Sequence, residues 1–173
     1  MAAALLLGCV RGWTAAADAL EAEYRIKAAF VCKFGNYVDW PPGERGDGPF
    51  VIGAYATDAV VDEIARAAAA DTVGGRPIVV RRLARGEPLE GVAIVFVART
   101  HAALLADALA AARGQPVLTV TESDEPAPAG IVNFVVAEDK VRFDIALQPA
   151  EAAGLRISGR LLAVARKVSG RPL

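Results

Sequence analysis

The sequence predicts a single-domain α/β fold, a mainly parallel sheet flanked by helices with a C-terminal antiparallel hairpin. The chain has 173 residues, of which 54% are hydrophobic and 23% charged, so it is long and apolar enough to bury one core. Apolar strands alternate with helices, and the early strands are continuously apolar, which favours parallel strands covered on both faces. The last two strands are separated by only three residues, as in a hairpin.

The first seventeen residues are predicted to be a signal peptide. Residues 1–10 are almost wholly apolar, and Ala15-Ala16-Ala17 supplies the small residues of a signal-peptidase site. Cleavage there would leave Asp18 or Ala19 first, and residues 18–173 as the mature domain. The basic residues that normally precede the apolar stretch are missing, which a start codon placed too far downstream would explain. The alternative is a lipobox at 6–9 in which Cys9 is lipidated; both interpretations imply export to the periplasm.

An amphipathic helix is predicted over residues 18–38, because apolar residues recur there every three or four positions. Trp40-Pro41-Pro42 ends it, since a proline disfavours the helical conformation in the residue before it. Cys32 lies on this helix and is the single cysteine of the predicted mature chain. It is therefore predicted to be a buried, inert thiol without a disulfide partner.

Three strands and two helices are predicted next, with strands over 50–55, 77–83 and 92–98. Asp58 is expected to cap a helix that runs to about Ala70, and Thr100 an alanine-rich helix that ends near Gly114. Gly74-Gly75 provides the turn into the second strand.

The C-terminal third begins with a short strand over 117–120 and an acidic loop over 121–130 that contains two prolines. Strands over 131–136 and 140–147 form the hairpin. In its second strand Val141, Phe143, Ile145 and Leu147 share one face, whereas Arg142 and Asp144 share the other. The last element is a helix over 151–168, broken near Gly154.

The sequence carries none of the common catalytic or cofactor-binding motifs, so we assign no catalytic residue, metal ligand or cofactor and predict no enzyme. The net charge is -1, whereas a nucleic-acid-binding protein would show a basic excess. His101 is interpreted as a surface residue in the first turn of a helix. The acidic loop Glu122-Ser123-Asp124-Glu125 and the basic run Arg81-Arg82 with Arg85 are interpreted as solvated.

Two surfaces are candidates for binding. Loops that follow parallel strands line the usual ligand crevice of such sheets, which selects Thr57, Asp58, Arg99, Thr100 and Ser123. The helix over 18–38 is apolar around more of its circumference than one sheet face needs, so part of it is a candidate interface with a partner protein or with a second copy. Aromatic and arginine side chains dominate interface hot spots, which selects Tyr37, Trp40, Arg142 and Arg160.

The run Glu23–Phe30, followed by Phe34, Tyr37 and Trp40-Pro41, resembles the opening helix of the YfiR-like periplasmic family. Later segments agree in order: Gly75-Arg76-Pro77, Ile94–Val97, Val117–Val120, Gly130-Ile131-Val132, Val141–Ile145, Gly154–Ser158 and Leu161-Leu162. The resemblance covers about residues 23–168.

This resemblance implies a periplasmic regulator that binds the periplasmic sensor part of an inner-membrane diguanylate cyclase and represses it, lowering cyclic di-GMP and biofilm formation. It also implies an outer-membrane lipoprotein that relieves repression by sequestering the regulator. The best-known members carry cysteine pairs that sense redox state, so with Cys32 alone that control is not implied here. The alternative is a periplasmic small-ligand-binding sensor module built like one lobe of a solute-binding protein.

Overall fold

The computed structural model describes residues 9–43, 48–124 and 129–170. Leu6 to Gly8 of the alternative lipobox and Glu125 of the acidic loop lie outside these residues. The helices are α1 Cys9–Phe34, α2 Asp58–Ala69, α3 Leu105–Ala111, α4 Leu147–Ala152 and α5 Gly159–Val164, with 3-10 turns at Gly35–Tyr37 and Arg99–Leu104. The strands are β1 Val38–Asp39, β2 Phe50–Tyr55, β3 Thr72–Val73, β4 Arg76–Arg82, β5 Val92–Val97, β6 Leu118–Thr121, β7 Val132–Ala137, β8 Lys140–Ala146, β9 Arg156–Ile157 and β10 Lys167–Ser169.

The main sheet has eight strands in the order β10-β8-β7-β6-β5-β2-β4-β3. Strands β4, β2, β5, β6 and β7 are parallel, and β7 and β8 form an antiparallel hairpin paired from Val132↔Ile145 to Ala137↔Lys140. The predicted α/β class and the C-terminal hairpin are therefore confirmed. The hairpin is not the edge, however, because β10 adds a parallel strand outside β8.

Both faces of the sheet are covered, as the continuous apolar strands predicted. Ile94 and Phe96 of β5 belong to the core formed with α1 and α2, whereas Val95 and Val97 belong to the core formed with α3. Four phenylalanines, two from α1 and two from the hairpin, pack ring against ring in the first core; Phe34 and Phe143 meet edge-on with centroids 5.3 Å apart.

Helix α1 differs at both ends from the predicted 18–38. It starts at Cys9, and its residues 15–22 are all exposed. It ends at Phe34 rather than at Val38, and a 3-10 turn follows at Gly35–Tyr37. Gly35 lies against β3, where an added Cβ would be 2.4 Å from Val73. Among the described residues, no helix is both long enough and apolar enough to cross a membrane.

Both predicted helix N-caps, Asp58 and Thr100, are wrong. Thr57, rather than Asp58, is the N-cap of α2, and its carbonyl accepts from the N–H groups of Val60 and Val61. Thr100 caps no α-helix, since it lies in the 3-10 turn that starts after Ala98.

The predicted C-terminal helix over 151–168 is wrong: this region forms α4, β9, α5 and β10 instead. Gly154, at φ +70°, ends α4. Ser158 then starts α5 as its N-cap, with its Oγ accepting from Leu161 N. Between them, β9 pairs with β1 through Val38↔Ile157 and Asp39↔Arg156, a pairing between distant residues that local sequence does not reveal.

Candidate functional site

The carboxyl end of β6 leads into a buried polar cluster, which we call the Glu122 cluster: Glu122, Lys27, Glu23, Tyr24 and the backbone N–H of Arg99. The Glu122 side chain is fully buried. Its Oε1 accepts a hydrogen bond from Lys27 Nζ, and its Oε2 accepts from Tyr24 OH at 3.1 Å and Arg99 N at 2.7 Å. The interpretation of Glu122 as part of a solvated loop is therefore wrong.

Lys27 is as buried as its partner, with 2% of its side chain exposed. Its Nζ also pairs with Glu23, one helical turn earlier, and lies 5.1 Å from the ring centroid of Tyr24 and 6.0 Å from that of Phe134. Two carboxylates and two ring faces thus offset the cost of burying one ammonium group.

Tyr24 completes the cluster as a hydrogen-bond donor. Burial raises its pKa well above the usual value, and the negative charge of Glu122, which accepts the phenol proton, raises the pKa further. The phenol is therefore neutral at physiological pH. Because every polar group of the cluster faces another, the arrangement fastens α1 across the carboxyl ends of β5 and β6.

The five predicted crevice residues do not line one common crevice, and one of them, Arg99, belongs to the Glu122 cluster. Arg99 donates its backbone N–H to Glu122, whereas Asp58 pairs with Arg82 on the surface and Thr100 contacts His101. Ser123 is tied to Asn133, whose Oδ1 accepts from Ser123 N at 2.9 Å.

Thr57 alone of the five lines a sizeable pocket, an open groove of about 510 Å³ between α1 and α2. Its walls are apolar at Leu20, Tyr24 and Val60 and charged at Glu63 and Arg66. Ser123 lines a smaller polar pocket of about 120 Å³ near β10. No group of side chains with metal-ligand geometry occurs in the described part of the chain.

The predicted partner residues differ in exposure. Tyr37 is 37% exposed, and Arg142 on β8 and Arg160 on α5 are exposed. Trp40 is half-buried against the core, and its ring meets Phe50 edge-on at 5.4 Å. Trp40 therefore contributes to the packing of the core as well as being a candidate interface residue. Tyr37 and α5 lie at one end of the molecule, because the Tyr37 carbonyl accepts from Ser158 N.

Sequence reasoning missed the Lys27–Glu122 pair, although one signal was present. Lys27 falls on the same helical face as Tyr24, Val31 and Phe34, and a lysine in an apolar stripe needs a buried partner. Cys32 was placed correctly, since it is buried, with its Sγ 3.7 Å from the Ile64 carbonyl oxygen.

Comparison with protein families gives a match to most of the chain. A protein-family model described as YfiR/HmsC-like matches residues 24–166, which begin at Tyr24 of the Glu122 cluster and take in every strand except β10. No curated protein matches the chain.

Proposed function

The chain belongs to the YfiR/HmsC-like family, and from this we propose that it is an exported, periplasmic regulator of an inner-membrane diguanylate cyclase. In this proposal it binds the periplasmic sensor part of the cyclase and represses it through protein contact, without turnover. An outer-membrane lipoprotein would release the repression by sequestering the regulator. The match over residues 24–166 carries the proposal, because it spans nearly all of the folded body.

The carboxyl edge of the sheet supports a protein-binding role rather than a ligand site at that edge. The carboxyl edge of the sheet, where ligands bind in many parallel α/β proteins, is occupied around Glu122 by side chains of α1. We propose that the partner surface lies instead at the end that carries Tyr37 and Arg160, with Arg142 as a further candidate. These side chains are exposed and of the types that anchor interfaces.

The decisive experiment tests whether repression requires export of the protein to the periplasm. Residues 18–173 are expressed in a deletion strain behind an efficient signal peptide and, as the matched control, without one. Cellular cyclic di-GMP should fall only with the exported form, because the proposed contact is on the periplasmic side. If cyclic di-GMP is unchanged by both deletion and complementation, the repressor proposal fails.

The small-ligand sensor is kept as a second candidate because of the groove between α1 and α2. Its volume of about 510 Å³ is within the range of small-molecule sites. A periplasmic metabolite extract should then raise the thermal midpoint of the protein. Ala59→Trp should abolish that rise, since Ala59 is exposed and lines the groove. A midpoint that no extract raises counts against this candidate.

A further inference from the structure

Strand β4 offers an open edge. On its inner side, Ile78–Arg82 pair with β2, whereas on its outer side β3 pairs only with Arg76 and Pro77. Leu83 N donates to Ala54 O of β2 at 2.9 Å, so by alternation the N–H and C=O groups of Ile78, Val80 and Arg82 point away from β2. In the described part of the chain, no strand pairs with these outward groups. Such an edge is a template for another strand.

The side chains of this edge form an apolar centre between cations. Val79 is 43% exposed, and Ile78 and Val80 are half-buried against the core on the α2 side. Arginines lie at both ends of β4, which contains three of them and no acidic residue.

Strand β3 disfavours a second copy of the chain as the occupant. Because β3 already pairs with Arg76 and Pro77, two β4 edges could pair antiparallel only over residues 78–82, about Val80. Leu83 of each copy, which continues in line with β4, would then meet β3 of the other copy at Pro77. This steric conflict acts against self-association at this edge.

The charges of the open edge favour an acidic strand. Arg81 and Arg82 lie at the end of β4 that β3 does not reach. Arg81 pairs with Glu87 at 3.4 Å and Arg82 pairs with Asp58, in both cases through partly exposed side chains. Ion pairs of this kind exchange partners at little cost, so carboxylates of an added strand can take the place of Glu87 and Asp58.

We propose that the outer edge of β4 binds an extended, acidic segment of a partner protein, which adds to the sheet as a further antiparallel strand. The direction follows from β3, which already runs antiparallel to β4 on this side. Main-chain hydrogen bonds to Ile78, Val80 and Arg82 provide the pairing, and carboxylates opposite the arginines provide selectivity. The contacts proposed here use none of Tyr37, Arg142 and Arg160 and do not depend on which protein supplies the segment.

Two blocked peptides test the edge: Glu-Glu-Val-Thr-Val, which places glutamates opposite Arg82 and Arg81, and Lys-Lys-Val-Thr-Val, which places lysines there. Each is titrated into isotope-labelled residues 18–173 and followed by backbone amide resonances. We expect the acidic peptide to shift the amides of Ile78, Val80 and Arg82 and to bind about fivefold more tightly than the basic one, as two cross-strand charge pairs allow. Equal binding of both peptides, or no shift at these amides, overturns the proposal.

Charge reversal supplies the matched control. Arg82→Glu should abolish the preference between the peptides, because either peptide then makes one attractive and one repulsive cross-strand pair, whereas Arg113→Glu, at an exposed arginine after α3, should leave it unchanged. If both variants act alike, the attraction is a general charge effect and the proposal is wrong. Concentration-dependent shifts of the same amides without peptide would show that a second copy occupies the edge, and would also overturn it.

Discussion

Lys27 and Glu122 are 95 residues apart in the sequence, yet they form an ion pair in which both side chains are buried. One belongs to α1 and the other follows β6, so the pair joins the first helix to the middle of the sheet. Removing one member of such a pair leaves the other charge buried without compensation, and that costs more than the pair itself contributes.

Lys27→Met should therefore be strongly destabilising. The methionine matches the length of the aliphatic stem but leaves Glu122 charged, so we expect the free energy of unfolding to fall by about 3–5 kcal/mol. Urea denaturation of residues 18–173 measures it. Lys33→Met is the matched control: Lys33 lies on the same helix with 63% of its side chain exposed, and its loss should cost no more than about 0.5 kcal/mol.

The double variant Lys27→Met/Glu122→Gln identifies the cause. Glutamine can still accept from Tyr24 and Arg99 but carries no charge, so the double variant should recover at least half of the loss. If the double variant loses as much stability as Lys27→Met and Glu122→Gln lose together, packing around Lys27 is responsible and the charge argument is wrong.

Cys32 should make the protein less stable at alkaline pH. Burial raises the pKa of its thiol from 9.0 to about 12. Above pH 9 the unfolded thiol loses its proton while the folded one keeps it, so stability that is complete below pH 9 is lost as pH rises. Between pH 9 and 10 the free energy of unfolding should fall by about 1 kcal/mol from this group.

Cys32→Ala should remove that decrease between pH 9 and 10, at a cost of about 1 kcal/mol at pH 7 through lost packing. Urea denaturation at both pH values checks the two effects. Oligomeric state should be the same in the variant, with or without reductant. A dimer that dissociates with reductant would show that Cys32 bridges two chains, contrary to its burial.

The sheet could be predicted from the sequence because its strands show continuous or alternating apolar residues. The run 92–97 is apolar at every position and buried at every position, and the alternation of Phe143 and Ile145 with Arg142 and Asp144 fixed the faces of β8. The helix starts were harder, since Thr57 and Asp58 are both good N-cap residues and only the backbone decides between them.

The Glu122 cluster and the C-terminal strands β9 and β10 could not be predicted, because they depend on contacts between residues that are far apart in the sequence. The Glu122 cluster requires α1 to lie over the ends of β5 and β6, and Glu122 occurs in an acidic run typical of a solvated loop. The region after Gly154 has a helical apolar pattern, but pairing with β1 and β8 drew short stretches of it into strands. Tertiary contacts overrode the local preference there.

Export should leave a mature chain that begins near Asp18. Residues 15–22 of α1 are exposed, so residues 18–173 should unfold within about 1 kcal/mol of the full chain. N-terminal sequencing of the periplasmic protein checks the cleavage site. Full-length protein in the cytoplasm would contradict export, and a lipid on Cys9 would favour the lipobox alternative.

The proposed partner end gives a last prediction, in which stability and repression are affected separately. Trp40→Ala should cost about 2 kcal/mol of stability, because the half-buried indole packs edge-on against Phe50. Arg160→Ala should change stability by no more than about 0.5 kcal/mol, since Arg160 is exposed. Tyr37 is 37% exposed, so Tyr37→Ala should cost about 1 kcal/mol through the covered part of its ring.

Repression, measured as cellular cyclic di-GMP, should nevertheless be weakened by Tyr37→Ala and Arg160→Ala, because an interface anchor contributes about 2 kcal/mol or more to binding. Arg113→Ala is the control for an exposed arginine outside the proposed surface and should repress normally. A variant that loses repression in proportion to its loss of stability has lost folded protein rather than a contact. If Tyr37→Ala and Arg160→Ala both repress fully, the partner binds elsewhere and this end of the molecule is not the interface.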